Sequence, residues 1–303
     1  MNGLINNSSI IIKSPFIVEE HVNDFLRSID IRCSSKNTYK RQLKVFVEWL
    51  KNQNVGMPNE QIIITYNNYL KNTKKLSDLT IKGYITAIKL FFAWLEATEI
   101  YPNIAKKIHR PKQRYGVRKD VLSSDQVKRI LKAIDRTTLE GKRDFALINL
   151  MIWAGLRSLE IIRAMRGDLA NCCGTHLLWI QEKGQDGKDE HIQLSDKIFN
   201  PIQEYLEARK STSDTEPLFA SHSTRNFGQS LTTRSISRII KKRLQHAKIN
   251  TSRISADSLR YTAITLNLLK LATAQQVNTM MSYAEINTML MYVRLLRRRR
   301  VER

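Results

Sequence analysis

The sequence predicts a mainly α-helical protein of two domains, the second of which also contains a small β-sheet or hairpin. Three observations predict this fold class. Apolar residues recur at a helical period through the first hundred residues. A basic segment with one proline and one glycine, residues 105–120, interrupts that pattern. Strand-like, glycine-containing sequence is confined to residues 176–194.

Residues 16–104 are expected to form a domain of four helices, preceded by an N-terminal extension of residues 1–15. The four apolar stripes cover residues 18–29, 39–50, 62–70 and 81–95. Ser34 and Ser35 are predicted to cap the second helix, and Pro58 is predicted in the first turn of the third.

Residues 105–120 are predicted to be a basic linker, and residues 121–303 the second domain. Serine caps at 123–124 predict a new helix, and a buried helical stretch over 143–165 is expected to turn at Gly155. The predicted β-hairpin over 176–194 has a polar tip around Gly184 and Gly187. Helices are then expected from Asp196 to the end, apart from a Ser/Thr-rich stretch over 211–234.

The charge of the chain indicates a polyanionic partner. The sequence has 50 Lys+Arg against 28 Asp+Glu, a net charge of +22. The excess of positive charge is shared by residues 1–120 and 121–303. This distribution favours two domains that bind one nucleic-acid duplex over a globular body with a basic tail.

Other classes of protein are disfavoured by the same sequence. No window approaches about 18 consecutive apolar residues, and residues 1–16 lack the pattern of a secretory leader. We therefore expect a cytoplasmic protein without a membrane partner. Cys33, Cys172 and Cys173 offer neither a disulfide framework nor a CxxC pair for zinc, so no metal is expected.

Four short motifs of the second domain carry the residues suited to phosphate chemistry. They are AGLRSLEII (154–162) with Arg157 and Glu160, EKGQDGK (182–188) with Lys183, DSLRYT (257–262) with Arg260, and YAEINTMLMYV (283–293) with Tyr292. Arginine presents a planar, permanently charged fork that matches two phosphate oxygens, which lysine cannot duplicate.

In this order the motifs resemble those of the tyrosine recombinase family, which includes phage integrases and Xer-type enzymes. That family has a GLR…E turn, a KG hairpin, an H-x-x-R box, a second His or Trp, and a tyrosine nine residues later. The resemblance covers roughly residues 16–296. It implies a two-domain DNA clamp, in which a SAM-like core-binding domain precedes the catalytic domain.

The resemblance also implies a role for each motif. Arg157 and Arg260 are expected to neutralise the nonbridging phosphate oxygens, without metal or cofactor. Lys183 is expected to protonate the departing 5′-oxygen, with Lys188 as its nearest competitor. Tyr292 is expected to attack phosphorus and hold the DNA as a 3′-phosphotyrosine. Glu160 is expected to orient Arg157 or its neighbours.

Both histidine-box positions depart from the family pattern, and Leu271 and Ser282 stand at or near positions where the family usually has glycine. Asp257 stands where the first box histidine is usual, and Tyr283 where the second His or Trp is usual. Asp257 is predicted to cap the helix that carries Arg260, or to pair with Arg260 at i,i+3. A carboxylate ~5 Å from a phosphate costs roughly 3 kcal/mol at an effective dielectric constant of ~20. We expect Tyr283 to donate a hydroxyl hydrogen bond in place of the imidazole.

The partner implied by the resemblance is double-stranded DNA with inverted half-sites, bound by a homodimer on each site and a homotetramer in synapsis. Candidate DNA contacts lie on two predicted helices, one in each domain. They are Lys36, Tyr39, Lys40 and Arg41 in the first, and Arg234, Arg238 and Lys241 in the second. For each of them an ordinary solvated helix face is an equally good interpretation.

Three functions therefore stay open. The first is a site-specific recombinase or integrase that works through a Holliday junction. The second is a recombinase-like DNA-binding regulator with weak or lost cleavage. The third is a relaxing enzyme similar to type IB topoisomerases, against which the small helical N-terminal domain argues.

Overall fold

The computed structural model describes residues 16–53, 55, 57–109, 120–181, 187–249 and 252–269. The chain divides into two compact units, Met1–Tyr115 and Gly116–Arg303. Within the described residues, no helix has both the length and the apolar character needed to cross a membrane.

The described part of the first unit contains four α-helices. They are α1 (Phe16–Ser28), α2 (Cys33–Lys51), α3 (Glu60–Asn68) and α4 (Asp78–Ala97), and a π-helical turn, Tyr69–Thr73, continues α3. Their apolar stripes meet in one core, in which Phe46, Tyr66 and Phe92 are fully buried. The predicted helical character of this segment is confirmed.

Two predicted helix starts in the first unit are wrong by one or two residues. Arg32 precedes α2, so Ser34 and Ser35 lie inside its first turn rather than at the cap. The cap of α3 is Asn59, whose side chain accepts a hydrogen bond from the backbone N–H of Ile62. Pro58 therefore lies before this cap and not in the first turn. Asn59 is thus a true side-chain cap, whereas Arg32 forms no capping hydrogen bond and gives no cap signal in the sequence.

The described part of the second unit contains six α-helices and three strands, together with two short 3-10 turns, Arg166–Asp168 and Thr224–Asn226. The α-helices and strands are α5 (Ser124–Lys132), α6 (Leu139–Ala154), α7 (Ser158–Arg163), β1 (Leu169–Cys172), β2 (Thr175–Ile180), β3 (Glu190–Leu194), α8 (Asp196–Arg209), α9 (Thr233–His246) and α10 (Ala256–Leu269). The central helix α6 packs against α8 and α10, and α7 packs against α9. Ser123 caps α5 and exchanges hydrogen bonds with Gln126, which confirms the predicted serine cap.

The β-sheet has three antiparallel strands in the order β1-β2-β3, one more than the predicted hairpin. The overlooked strand β1 pairs with β2 in the register Leu169↔Leu178. It was missed because it has only four residues and little burial. The sequence signal for this strand is Gly174, in the two-residue connection Cys173-Gly174. In the structure both residues have positive φ, as type I′ hairpin turns require.

A buried ion cluster fastens α9 to α6. The carboxylate of Asp144 is fully buried and accepts hydrogen bonds from Arg143 Nη2 at 2.7 Å and from Arg243 Nε at 2.8 Å. On the surface beside it, Lys242 Nζ donates to Glu140 Oε1 at 3.3 Å. These pairs fix one side of α9 against the core, and its opposite side faces solvent.

Candidate functional site

The turn between α6 and α7 places the first predicted arginine. Gly155 ends α6 with φ 68°, a left-handed conformation that glycine adopts without steric cost. Leu156 is buried directly after it, and Arg157 is the residue that precedes α7. The backbone of Arg157 is therefore held between a buried leucine and a helix.

Glu160 fixes the orientation of Arg157, as the sequence predicted. Its carboxylate is only 2% exposed. Its Oε2 accepts the backbone N–H of Arg157 at 2.7 Å, and its Oε1 accepts Arg157 Nη1 at 2.8 Å. One buried carboxylate thus holds both the main chain and the guanidinium of this arginine.

Arg260 reaches the same turn from α10. Its side chain is buried, and its Nη1 donates a hydrogen bond of 2.6 Å to the backbone carbonyl oxygen of Gly155. The same nitrogen lies 3.9 Å from Glu160 Oε2. The two guanidinium groups therefore converge on Glu160, although Arg260 is 105 positions from Gly155 in the sequence.

The charges of this cluster favour an anionic ligand. Two arginines and one glutamate leave a formal charge of +1 among these three described groups, opposite to that of a phosphodiester. Arginine forks bind phosphate oxygens through short, charge-assisted hydrogen bonds. In an environment this buried, such bonds are stronger than they are in water.

Asp257 does not occupy the predicted cap position. Helix α10 begins at Ala256, so Asp257 lies in its first turn, where its side chain is exposed. Two serines exchange hydrogen bonds at the start of this helix instead. Ser255 N–H donates to Ser258 Oγ at 3.0 Å, and Ser258 N–H donates to Ser255 O at 2.9 Å. Asp257 precedes Arg260 by three residues, a spacing that places both on one side of the helix.

The remaining predicted catalytic residues, Lys183, Tyr283 and Tyr292, lie outside the described residues. Lys188, the alternative candidate for the role of Lys183, lies within the described residues. Lys188 Nζ forms an ion pair with the carboxylate of Asp168, whose Oδ2 also accepts the backbone N–H of Met165 at 2.6 Å. Lys188 is therefore committed to a contact within the protein.

The predicted DNA contacts of the second domain share the solvent face of α9. Arg234, Arg238 and Lys241 are exposed and follow one another at i, i+4 and i+7. In the described part of the chain none of the three forms an ion pair with a carboxylate, in contrast to the exposed Lys242, which pairs with Glu140, and the buried Arg243, which pairs with Asp144. The free face of α9 is thus a row of cations available to an external anion.

The predicted contacts of the first domain lie in the N-terminal half of α2. Lys40 and Arg41 are exposed and Lys36 is half-buried, whereas Tyr39 packs partly against the apolar core of its unit. Lys40 borders a groove that also contains Glu19 and Glu48, so the charge on this face is mixed. Among the described residues no three His, Cys, Asp or Glu side chains are grouped to hold a metal ion.

Solved structures of DNA recombinases share this fold, a helical unit followed by a helical unit with a small antiparallel sheet. The chain matches the XerH site-specific recombinase bound to palindromic difH in a post-cleavage complex, with a TM-score of 0.70 at 21% identity, over 95% of this chain and 83% of that one. A lambda integrase tetramer bound to a Holliday junction gives a TM-score of 0.67 at 15% identity, over 92% and 77%. The predicted fold class is confirmed.

The chain belongs to the phage integrase family. The model described as "Phage integrase family" matches residues 120–299, and the model described as "Phage integrase, N-terminal SAM-like domain" matches residues 19–101. The resemblance inferred from the four motifs is therefore confirmed.

Curated relatives are similar over most of their length. The tyrosine recombinase XerD of Listeria monocytogenes is 27% identical over 285 residues, which cover 89% of this chain and 92% of that protein. The tyrosine recombinase XerC of Caldanaerobacter subterraneus subsp. tengcongensis is 25% identical over 284 residues, which cover 84% and 76%.

Proposed function

We propose that this protein is a site-specific DNA recombinase that cleaves and rejoins strands through a 3′-phosphotyrosine intermediate and a Holliday junction. The observation that carries this proposal is the convergence of Arg157 and Arg260 on the Glu160 carboxylate, at the turn that follows α6. Membership of the phage integrase family supports it.

In this mechanism the two arginines bind the nonbridging oxygens of the scissile phosphate. The formal charge of +1 left by Arg157, Arg260 and Glu160 is opposite to the single negative charge of the ground-state diester. The phosphorane-like transition state carries more negative charge, so the cluster attracts it more strongly. Because the interaction strengthens in the transition state, it lowers the barrier rather than merely binding substrate. Permanent guanidinium charges supply this neutralisation, so we propose that no metal is needed.

The covalent step uses residues outside the described part of the chain. Tyr292 Oη loses its proton to solvent and attacks phosphorus, the bond from phosphorus to the 5′-oxygen breaks, and Lys183 donates a proton to that oxygen. The products are a 3′-phosphotyrosine and a free 5′-hydroxyl. A 5′-hydroxyl from a second strand reverses the step and releases Tyr292, so rejoining requires no further energy source.

DNA is held by the exposed basic residues of α9 and α2. Each phosphate contact releases counterions, so the affinity falls steeply with salt. We further propose two protomers on inverted half-sites and four in the synapse. The solved complexes of relatives, which include a dimer of lambda integrase on a core site and a tetramer on a Holliday junction, support this assembly. We also propose a cytoplasmic location, with which a DNA substrate is consistent.

A DNA-binding regulator with weak or lost cleavage is the second candidate, and one observation favours it. Asp257 places a carboxylate in the first turn of the helix that carries Arg260, on the same side as that arginine. A negative charge there opposes phosphate binding unless the rest of the site compensates.

The two functions differ in whether a covalent adduct forms. We would incubate the protein with duplexes that carry randomised inverted half-sites and a nick in the spacer, which lets the cleaved fragment diffuse away and traps the intermediate. The recombinase yields an adduct that survives SDS and disappears in Tyr292→Phe, whereas Tyr84→Phe, a change in the first unit, leaves it intact. Tight binding of the pool by the wild-type protein without any adduct would instead support the regulator.

A further inference from the structure

Phe227 is the most exposed large apolar side chain of the described residues. Its side chain is 70% exposed, and the other described side chains of this kind, such as Met57 and Leu90, all belong to the first unit. Most of the ring is therefore open to solvent and would gain from entering an apolar environment on binding.

A hydrogen-bonded loop holds Phe227 in place. Asn226 to Gln229 form a type II β-turn, in which Phe227 has φ −57° and ψ 136° and Gly228 has φ 75°. Gln229 N–H donates to Asn226 O at 3.2 Å, and Gly228 N–H donates to Ser221 O at 2.9 Å. Ser221 Oγ also donates to the side-chain oxygen of Asn226 at 3.2 Å. The ring is thus presented at the corner of an ordered turn.

The same loop leads directly into the basic face of α9. Ala220 and Ser230 pair at its base, and Thr232 caps α9 by accepting the backbone N–H of Ser235. Phe227 is three residues from Ser230 and six from Thr233, the first residue of α9, so an extended chain places it at most about 22 Å from the start of α9.

The surrounding sequence is suited to a polyanion. Residues 217–256 contain eight Lys or Arg and no Asp or Glu. Arg225, in the same loop, and Arg234 and Arg238, on α9, are exposed. The neighbouring loop residues are Ser, Thr, Asn, Gln and His, and the imidazole of His222 lies 6.4 Å from the Phe227 ring, centroid to centroid, so the ring stands within a polar and basic surface. A protein-binding patch has instead a contiguous apolar centre.

We infer that Phe227 is a DNA wedge, which inserts between base pairs beside the phosphates held by α9. This inference rests on the proposed DNA-binding function and adds to it a residue that acts on the bases. Apolar side chains that enter a base step partly unstack it and bend the duplex. Steps that unstack easily, such as TA, are therefore preferred by the protein next to this loop.

The test uses a 30-base-pair alternating d(TA) duplex with 2-aminopurine in place of central adenines, because every register then offers a TA step. 2-Aminopurine fluoresces more strongly when it is unstacked. The full-length wild-type protein raises the fluorescence. Phe227→Ala abolishes the rise and binds about tenfold more weakly, since the buried ring area is lost. Phe227→Trp retains both properties.

Controls separate this role from folding and from phosphate binding. Phe227 is exposed, so Phe227→Ala leaves the melting temperature unchanged. It also leaves the slope of log affinity against log salt unchanged, whereas Arg238→Ala lowers that slope by about one unit. Leu90→Ala, which truncates an exposed apolar side chain of the first unit, leaves both the affinity and the fluorescence unchanged.

Several results would overturn the wedge. If Phe227→Ala matched the wild type in both affinity and fluorescence, the wedge would be excluded and the proposed DNA-binding function would stand. A loss of affinity without a fluorescence change, reproduced by replacing thymine with uracil, would assign Phe227 to a thymine methyl contact. If Phe227→Ala changed only the sedimentation of the DNA-free protein, and neither the affinity nor the fluorescence, Phe227 would be assigned to a contact with another protein molecule. Failure of the wild type to bind any duplex would remove the proposed function as well.

Discussion

Replacing Glu160 by glutamine removes the charge that joins the two arginines while keeping the shape of the side chain. Glu160 Oε1 lies 2.8 Å from Arg157 Nη1, and its Oε2 lies 3.9 Å from Arg260 Nη1. At an effective dielectric constant of about 20, these separations correspond to attractions of roughly 6 and 4 kcal/mol. Desolvation offsets much of this attraction, and removing one partner of a buried ion pair costs about 3–5 kcal/mol net.

This loss of stability is measurable by thermal unfolding. For a domain of 150–250 residues, each kcal/mol shifts the melting temperature by about 2–4 °C, so Glu160→Gln is expected to lower it by roughly 6–20 °C. Cleavage at a temperature where the variant is folded also falls, because the Arg157 guanidinium loses its anchor. Glu207→Gln, an exposed carboxylate on α8, serves as the matched control and leaves both quantities unchanged.

The reasoning is refuted if Glu160→Gln unfolds within a degree or two of the wild type. In that case the carboxylate does not neutralise the arginines, and their convergence has another cause. A stable variant that cleaves normally would also remove Glu160 from the account of how the site is organised.

Three further predictions concern neighbouring groups. Asp144→Ala leaves Arg143 and Arg243 buried without their shared carboxylate, and is expected to reduce the free energy of unfolding by about 3–5 kcal/mol in urea titrations. Asp257→His removes a negative charge from the first turn of the helix that carries Arg260, and is expected to raise adduct formation at pH 7 to 8 by up to about a hundredfold. Burial and the nearby charge of Arg143 hold the pKa of His222 below its usual value, so the unfolded state binds more protons just below pH ~6.5. The melting temperature of the wild type is therefore expected to fall as the pH drops through this window, and His222→Gln to reduce that fall.

Each of these predictions can fail clearly. Normal stability of Asp144→Ala would show that the two arginines find other partners. No gain from Asp257→His, or a loss, would show that the carboxylate is adapted to this site. Parallel pH profiles for the wild type and His222→Gln would exclude His222 as the source of the pH dependence, and His246→Gln, at the exposed end of α9, provides the control.

The helices of the fold were predictable because their apolar stripes have a clear period. The stripe over 81–95 corresponds to α4, whose Ile81, Ile85 and Ile88 are all buried. Helix starts were less predictable, because several polar residues compete for the cap and only one has the extended backbone that a cap needs. Strand β1 was missed because four residues with little burial give no alternation to detect.

The candidate site was predictable only through the order of its motifs. No local property of Arg260 predicts that it bonds to Gly155 O, since this contact depends on the packing of α10 against α6. The Asp144 cluster was not foreseen for the same reason: Asp144 lies near the start of α6, where an acid is usually solvated, and its partner Arg243 is 99 residues away. Sequence patterns identify which groups suit a reaction, whereas tertiary packing determines which groups meet.

The central claim is that Arg157 and Arg260 neutralise one phosphate, and the charge of that phosphate tests it most directly. Adduct formation by Arg260→Ala would be measured on a nicked duplex selected from the randomised pool, with either a normal phosphodiester or an uncharged methylphosphonate at the cleavage position. Loss of one such donor costs about 10²–10³-fold in rate on the phosphodiester. The account predicts that the loss relative to wild type shrinks to about tenfold or less on the methylphosphonate, where less charge needs neutralising. An equal loss on both substrates would contradict it.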